Sequence, residues 1–169
     1  LYKEQKVLFE SFIDTLATSI DARDKITAGH SSRVKLYSML IVDALDCDEK
    51  FKEIVEKAAI LHDIGKIGIR DSVLQKEGKL TDEEYKHIQE HVKITHDILE
   101  KIHTSEDFKQ ITEIACSHHE KFDGSGYYRH LSGENIPYGG RILAVADVFD
   151  AITSKRHYRD KMPIQNVID

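Results

Sequence analysis

Cysteine is scarce in this 169-residue chain: Cys47 and Cys116 stand alone and far apart, with no Cys-x-x-Cys spacing. That excludes a disulfide framework and a thiolate zinc site, and it leaves two small core thiols in a reducing, cytoplasmic setting as the expectation. No apolar run approaches the roughly 20 residues of a membrane-spanning helix, and no signal-peptide pattern opens the chain, so no direct membrane insertion is expected. Positive charge is also short. Lysine and arginine number 24 against 30 acids, a net charge of −6, which supplies no general field for duplex nucleic acid or an anionic membrane surface. A local cluster of cations can still serve a small anionic ligand. There is no Ser-His-Asp set, Walker-type phosphate loop or Rossmann glycine fingerprint. Covalent catalysis is therefore not expected, and metal-activated water is the economical nucleophile.

What is present reads as one all-α domain. Hydrophobic residues make up 40% of the chain, enough for one core and too short a chain for two. Val7, Leu8, Phe12, Ile13, Leu16 and Ile20 recur at the helical period, and the charged run 21–25 ends that stripe. A second helix begins near Gly29-His30 and carries Val34, Tyr37, Leu40, Ile41 and Leu45. A third covers about 50–61 and delivers His62 and Asp63 at its end. Residues 65–78 read as loop with a short helical turn. Thr81 and Glu84 have capping-box spacing, which starts a helix that ends before His91; another runs over about 92–102, and Ser105 starts one that ends at His118-His119. Gly124, Gly126, Gly133, Pro137, Gly139 and Gly140 punctuate the single long loop, 120–140, of a length that is usually functional or disordered. The apolar segment of about 141–156 completes a bundle of about seven helices with no competing strand pattern. The chain starts at Leu1 inside a helical pattern and stops at Asp169 after a helix start at Met162-Pro163. A domain excised from a longer signalling protein, with sensory or receiver modules upstream, is the expectation.

The run Leu61-His62-Asp63-Ile64-Gly65-Lys66 is the most informative segment. A ligand pair followed by a glycine turn and a lysine is a compact kit for gripping and cutting a phosphate ester, because cations and an ammonium both answer phosphate charge. Ten histidines are present. His30, His62, His91, His118 and His119, with His96 a weaker sixth, sit at helix ends or starts in this reading. Each alone is best read as a surface or satisfied core residue; jointly with the aspartates they suit iron, manganese, cobalt or zinc. Asp147 lies in the apolar run 143–149, where a buried, unpaired carboxylate costs several kcal/mol and needs a cation. A metal answers that need, and a salt bridge to an arginine is the alternative. Adjacent imidazoles at His118-His119 can reach two ions, and Asp63 is the candidate bridge between cations about 3.5–4 Å apart.

These residues resemble the HD-GYP domain family, a branch of the HD phosphohydrolases. The likeness covers about 27–163, through Ala28-Gly29-His30 with Arg33-Val34, His62-Asp63-Ile64-Gly65-Lys66, His91, His118-His119-Glu120, Asp123-Gly124-Ser125-Gly126-Tyr127, Ile136-Pro137, and Arg141 through Arg156-His157-Tyr158-Arg159. The resemblance implies hydrolysis of cyclic di-GMP to linear pGpG, and onward to GMP in some members, at a di-iron or di-manganese centre in a helical bundle, with zinc, cobalt or nickel as other candidates. It implies that His30, His62, Asp63 and Asp147 hold one metal, and that Asp63, His91 and His118 hold the second with His119 as an additional ligand. Lys66 would meet the scissile phosphate, and with Asp63 it forms the catalytic pair. Tyr127, Arg156 and Arg159 resemble residues that contact the nucleotide; packing for Tyr127, and charge compensation at a helix end for the arginines, are the alternatives.

Two departures stand out. The name-giving Gly-Tyr-Pro reads Gly126-Tyr127-Tyr128, which loses the ring that fixes φ, and the position used by some members for a third metal is Ile26. Two metals and pGpG as the main product are expected. Besides the enzyme, a cyclic-dinucleotide sensor or docking module for a diguanylate cyclase, kept open by Tyr128, is the second class of reading. A phosphohydrolase of mononucleotides or alarmones is the third, against which residues 118–127 argue. A homodimer is the assembly held open.

Overall fold

The computed structural model describes residues 2–24, 29–102 and 105–154, and among these it is helical with no strand. The expected all-α domain is what forms. Its α-helices are α1 (Tyr2–Arg23), α2 (His30–Ala44), α3 (Glu49–Leu61), the single turn α4 (Asp71–Leu74), α5 (Asp82–Leu99), α6 (Glu106–Ala115) and α7 (Tyr138–Thr153), with 3-10 turns at Ile64–Gly68 and Gly133–Asn135. No helix among the described residues is long and apolar enough to cross a membrane. Arg156 and Arg159, expected from the resemblance to contact the nucleotide, and Ile26 lie outside the described residues.

Helix α3 is central, packed by α1, α2, α6 and α7. Asp48 caps it by accepting from Phe51 N at 2.9 Å, and Ile54, Val55, Ala58, Ala59 and Leu61 are buried along it. The helix therefore ends rigidly inside the molecule, with His62 as its C-cap. The 3-10 turn that follows lies directly on α5. A Cβ at Gly65 would stand 1.9 Å from the His91 carbonyl oxygen, so only glycine permits this approach. Thr95 locks it: its hydroxyl accepts from Gly65 N at 3.0 Å and donates to the His62 carbonyl at 3.1 Å.

Four expectations need correction. Residues 82–99 form one helix rather than two broken at His91. The capping box of Thr81 and Glu84 is formed as expected, but neither glycine nor proline interrupts the chain after it, and Ile88, His91, Val92, Thr95 and Leu99 make one continuous inward stripe. His91 is thus a mid-helix residue. Helix α7 starts at Tyr138, because Gly139 and Gly140 are buried against Ile114 and Ser117 at the end of α6 instead of belonging to the loop. On α1, burial begins at Ile13, and Val7, Leu8 and Phe12 face outward, so that stripe is only half used. On α2, Leu40 and Leu45 are likewise exposed.

Candidate metal centre

His62, His91 and His118 share one local device. Each ring's Nδ1 lies on the carbonyl oxygen three residues earlier: Ala59 at 2.7 Å, Ile88 at 2.6 Å and Ala115 at 2.6 Å. A carbonyl can only accept, so Nδ1 carries the proton and the Nε2 lone pair is turned inward. His30, at the start of α2, is held differently. Asp150 Oδ2 is 2.8 Å from its Nδ1, and Arg33 donates to both oxygens of Asp150 at 2.6 and 3.1 Å.

All four Nε2 atoms face Asp63. Its Oδ2 is 3.4 Å from His62 and 3.6 Å from His30, while its Oδ1 is 3.3 Å from His91 and 3.9 Å from His118. One carboxylate therefore presents a different oxygen to each pair of imidazoles. Asp147 Oδ1 is 3.2 Å from His30 Nε2. Ligand atoms of His30, His62 and Asp63 lie within 4.8 Å of one another, as do those of His91, His118 and His119.

The electrostatics of the cluster suit a cation. His62 Nε2 is buried with no hydrogen-bond partner, and the inward-turned Nε2 atoms of His91 and His118 are 3.4 Å apart. A buried acceptor left unpaired costs about 1–3 kcal/mol, and a cation among these nitrogens converts that cost into attraction. Burial lowers the pKa of His118, with His119 and His62 adding to it, and burial also lowers that of His91 against the opposing pull of Asp63. These rings are neutral donors. His30 differs: burial pulls its pKa down, but hydrogen bonds to Asp147 and Asp150 outweigh burial and raise it to about 9. Burial would raise the Asp63 carboxyl, yet Lys66 and His62 hold it well below the usual carboxylate range. The imidazole and carboxylate donors thus fit divalent cations of the iron-to-zinc series.

Lys66 stands at the mouth. Its Nζ is 2.8 Å from Asp63 Oδ2 and 3.4 Å from Asp24 Oδ2, and these two carboxylates raise its pKa against burial, so it is an ammonium. A cavity of about 370 Å³ opens here, lined by His30, Asp63, His91, His119 and Asp147 together with Val73, Leu74, Leu80 and Ile88. Tyr127 closes one side, stacked on His119 with ring centroids 4.7 Å apart. Its loop is held by hydrogen bonds. Buried Glu120 accepts from Arg129 N at 2.7 Å and Leu131 N at 3.0 Å, and Tyr127 N donates to the His119 carbonyl at 3.1 Å. A Cβ at Gly126 would come within 2.4 Å of Lys121 N, so the turn before Tyr127 requires glycine.

A family model described as HD domain matches residues 14–169. The chain belongs to the HD-domain family. Curated relatives of this HD domain agree with the HD-GYP resemblance. The chain is 38% identical over 165 residues to a 3'3'-cGAMP-specific phosphodiesterase of Vibrio cholerae, an alignment covering 95% of the chain and 35% of that protein. It is 43% identical over 149 residues to a cyclic di-GMP phosphodiesterase response regulator of Xanthomonas campestris, covering 88% and 39%. With a cyclic di-GMP phosphodiesterase of Thermotoga maritima the identity is 42% over 159 residues, covering 94% and 42%. The HD domain therefore spans 35% to 42% of the length of these relatives.

Of the residues singled out from sequence, His30, His62, Asp63, Lys66, His91, His118, His119, Tyr127 and Asp147 all come to this one place. His96 does not: it sits beside Asp97, Glu100 and Tyr128. Asp147 is largely buried as expected, its side chain 15% exposed where it lines the cavity, and Asp150 in the same helix is buried more fully. Arginine pairing, raised as the alternative for Asp147, occurs at Asp150 through Arg33. Sequence reasoning also passed over Asp24, and it quoted Glu120 within a motif without giving it the loop-holding role it has here. Asp150 was accessible by the logic applied to Asp147, since it is another carboxylate in the same apolar helix.

Proposed function

We propose that this HD domain is a metal-dependent phosphodiesterase that hydrolyses cyclic di-GMP to linear pGpG, using two divalent cations, iron or manganese first. The observation that carries the reading is Asp63, whose two oxygens face two separate sets of imidazoles while Lys66 pairs with one of them. In this reading His30, His62, Asp63 and Asp147 hold one cation, and Asp63, His91, His118 and His119 the other. When bound, such cations supply Lewis acidity toward phosphate oxygens and a nucleophilic water at neutral pH. The chain's own groups do the rest. Lys66, charged and facing the cavity, meets a phosphate oxygen; the neutral imidazoles keep their donor atoms turned inward; Val73, Leu74, Leu80 and Ile88 exclude water beside the reacting ester. Tyr127, whose pKa is raised by burial, stays a phenol that can donate to the nucleotide, and Arg156 and Arg159 are proposed as further phosphate contacts. Relatives named for cyclic di-GMP and for 3'3'-cGAMP occur at similar identity, which supports a cyclic dinucleotide as the substrate class. On the length of those relatives we also propose a cytoplasmic signalling protein in which a sensory or receiver module controls this domain, with a diguanylate cyclase domain and a second copy of the chain as further partners.

The test is anaerobic reconstitution with Fe(II), Mn(II), Co(II), Ni(II) or Zn(II), incubation with cyclic di-GMP and separately with 3'3'-cGAMP, and chromatography of the products. Linear pGpG formed with iron or manganese, and suppressed by chelator, is expected. Linear product from 3'3'-cGAMP alone reassigns the substrate. Tight binding of either dinucleotide with no linear product under any metal overturns the enzyme in favour of a sensor.

A further inference from the structure

The turn that carries Lys66 ends against α1. The Lys66 carbonyl near the end of this 3-10 turn accepts from Ile69 N at 3.0 Å, and it and the carbonyls of Ile67 and Ile69 have room for further donors. Arg23, the last residue of α1, supplies them. Its Nη1 donates to the carbonyls of Lys66 at 3.0 Å and Ile67 at 2.9 Å, its Nη2 to Ile69 at 2.7 Å, and its Nε to Asp71 Oδ1 at 2.8 Å. Gln75 returns the contact by donating to the Arg23 carbonyl at 3.1 Å. The neighbouring Asp24 accepts from the Lys66 ammonium at 3.4 Å. Two consecutive residues at the end of one helix thus hold Lys66 at both ends, the main chain by Arg23 and the ammonium by Asp24.

A side chain 31% exposed that served only as surface charge would need one acidic partner. Four acceptors, three of them main-chain carbonyls, define a backbone path instead, and only the rigid guanidinium fork can serve them together. We infer that Arg23 is a positioning residue for Lys66, fixing the main chain from which the ammonium reaches the substrate phosphate. The inference rests on the phosphate role proposed for Lys66. A displacement of about 1 Å at such a group costs up to about 100-fold in rate.

Two readouts separate this from general stabilisation. The first needs no activity: brief acylation of the folded, metal-loaded protein with an amine-reactive ester, mapped by mass spectrometry. Arg23→Ala is expected to raise Lys66 labelling several-fold relative to remote Lys109, with metal content unchanged, and Arg23→Lys to give a smaller rise. Unchanged Lys66 labelling in either folded variant overturns the inference, and Arg23→Lys carries the test alone if Arg23→Ala does not fold. The second readout is turnover. Arg23→Ala is expected to lower kcat by about 10- to 100-fold in the wild-type background and to cost nothing further in a Lys66→Ala background. An equal loss in both backgrounds means Arg23 does not act through Lys66. If the wild-type protein turns over no cyclic dinucleotide, the proposed function fails and the labelling alone decides the role of Arg23.

Discussion

On one side of Asp63, His30 lies between two carboxylates, Asp147 and Asp150, and is brought there by contacts between α2 and α7 that span 120 positions of sequence. On the other side, His91 and His118 meet a single carboxylate oxygen, and each ring is set by the carbonyl three residues earlier, within α5 and at the last residue of α6. His62, in the first half, is also set locally by the Ala59 carbonyl, so the contrast lies in His30, which depends on how α2 and α7 dock, against rings set by carbonyls within α3, α5 and α6. The two proposed cation sites would thus differ in what sustains them. The α2 and α7 half is the one that substitutions away from the centre can loosen.

The largest effect is expected where the halves join. Asp63→Ala removes the shared ligand, so turnover should fall on the order of 1,000-fold and both cations should be lost in elemental analysis; retention of one cation at full affinity would show that the halves are independent. Asp150→Asn sharpens the comparison. It leaves every proposed ligand in place but weakens the grip on His30 Nδ1, so the cation of that half should bind about 10- to 100-fold more weakly, seen as one retained equivalent at limiting metal. Equal weakening of both would break the distinction. Tyr127→Ala removes no proposed ligand, only the ring stacked on His119. It should leave metal content unchanged and raise KM by about two- to tenfold, the worth of one aromatic contact of about 0.5–1.5 kcal/mol.

The same contrast explains what sequence alone could show. Local devices were legible: the capping box at Thr81, the Ser105 start of α6 with its hydroxyl accepting from Phe108 N, the delivery of His62 by α3, and Lys66 three positions beyond Asp63. Contacts that depend on docking were not. Arg23 reaches residues 66–71 across more than 40 positions, and no period or spacing announces that. The division of residues 82–99 into two helices came from treating His91 as a boundary marker, whereas its ring belongs to the apolar stripe of one helix. Val7, Leu8 and Phe12 fit the periodicity of α1 without being buried, because period reports which residues share a face and not which neighbours cover it.

The most direct measurement is the distance between the bound metals, from anomalous diffraction on crystals of iron- or manganese-loaded protein. Two peaks about 3.5–4 Å apart, each within bonding distance of a different Asp63 oxygen, are the expected result. A single peak, or two peaks that do not share Asp63, would contradict a centre built around that carboxylate.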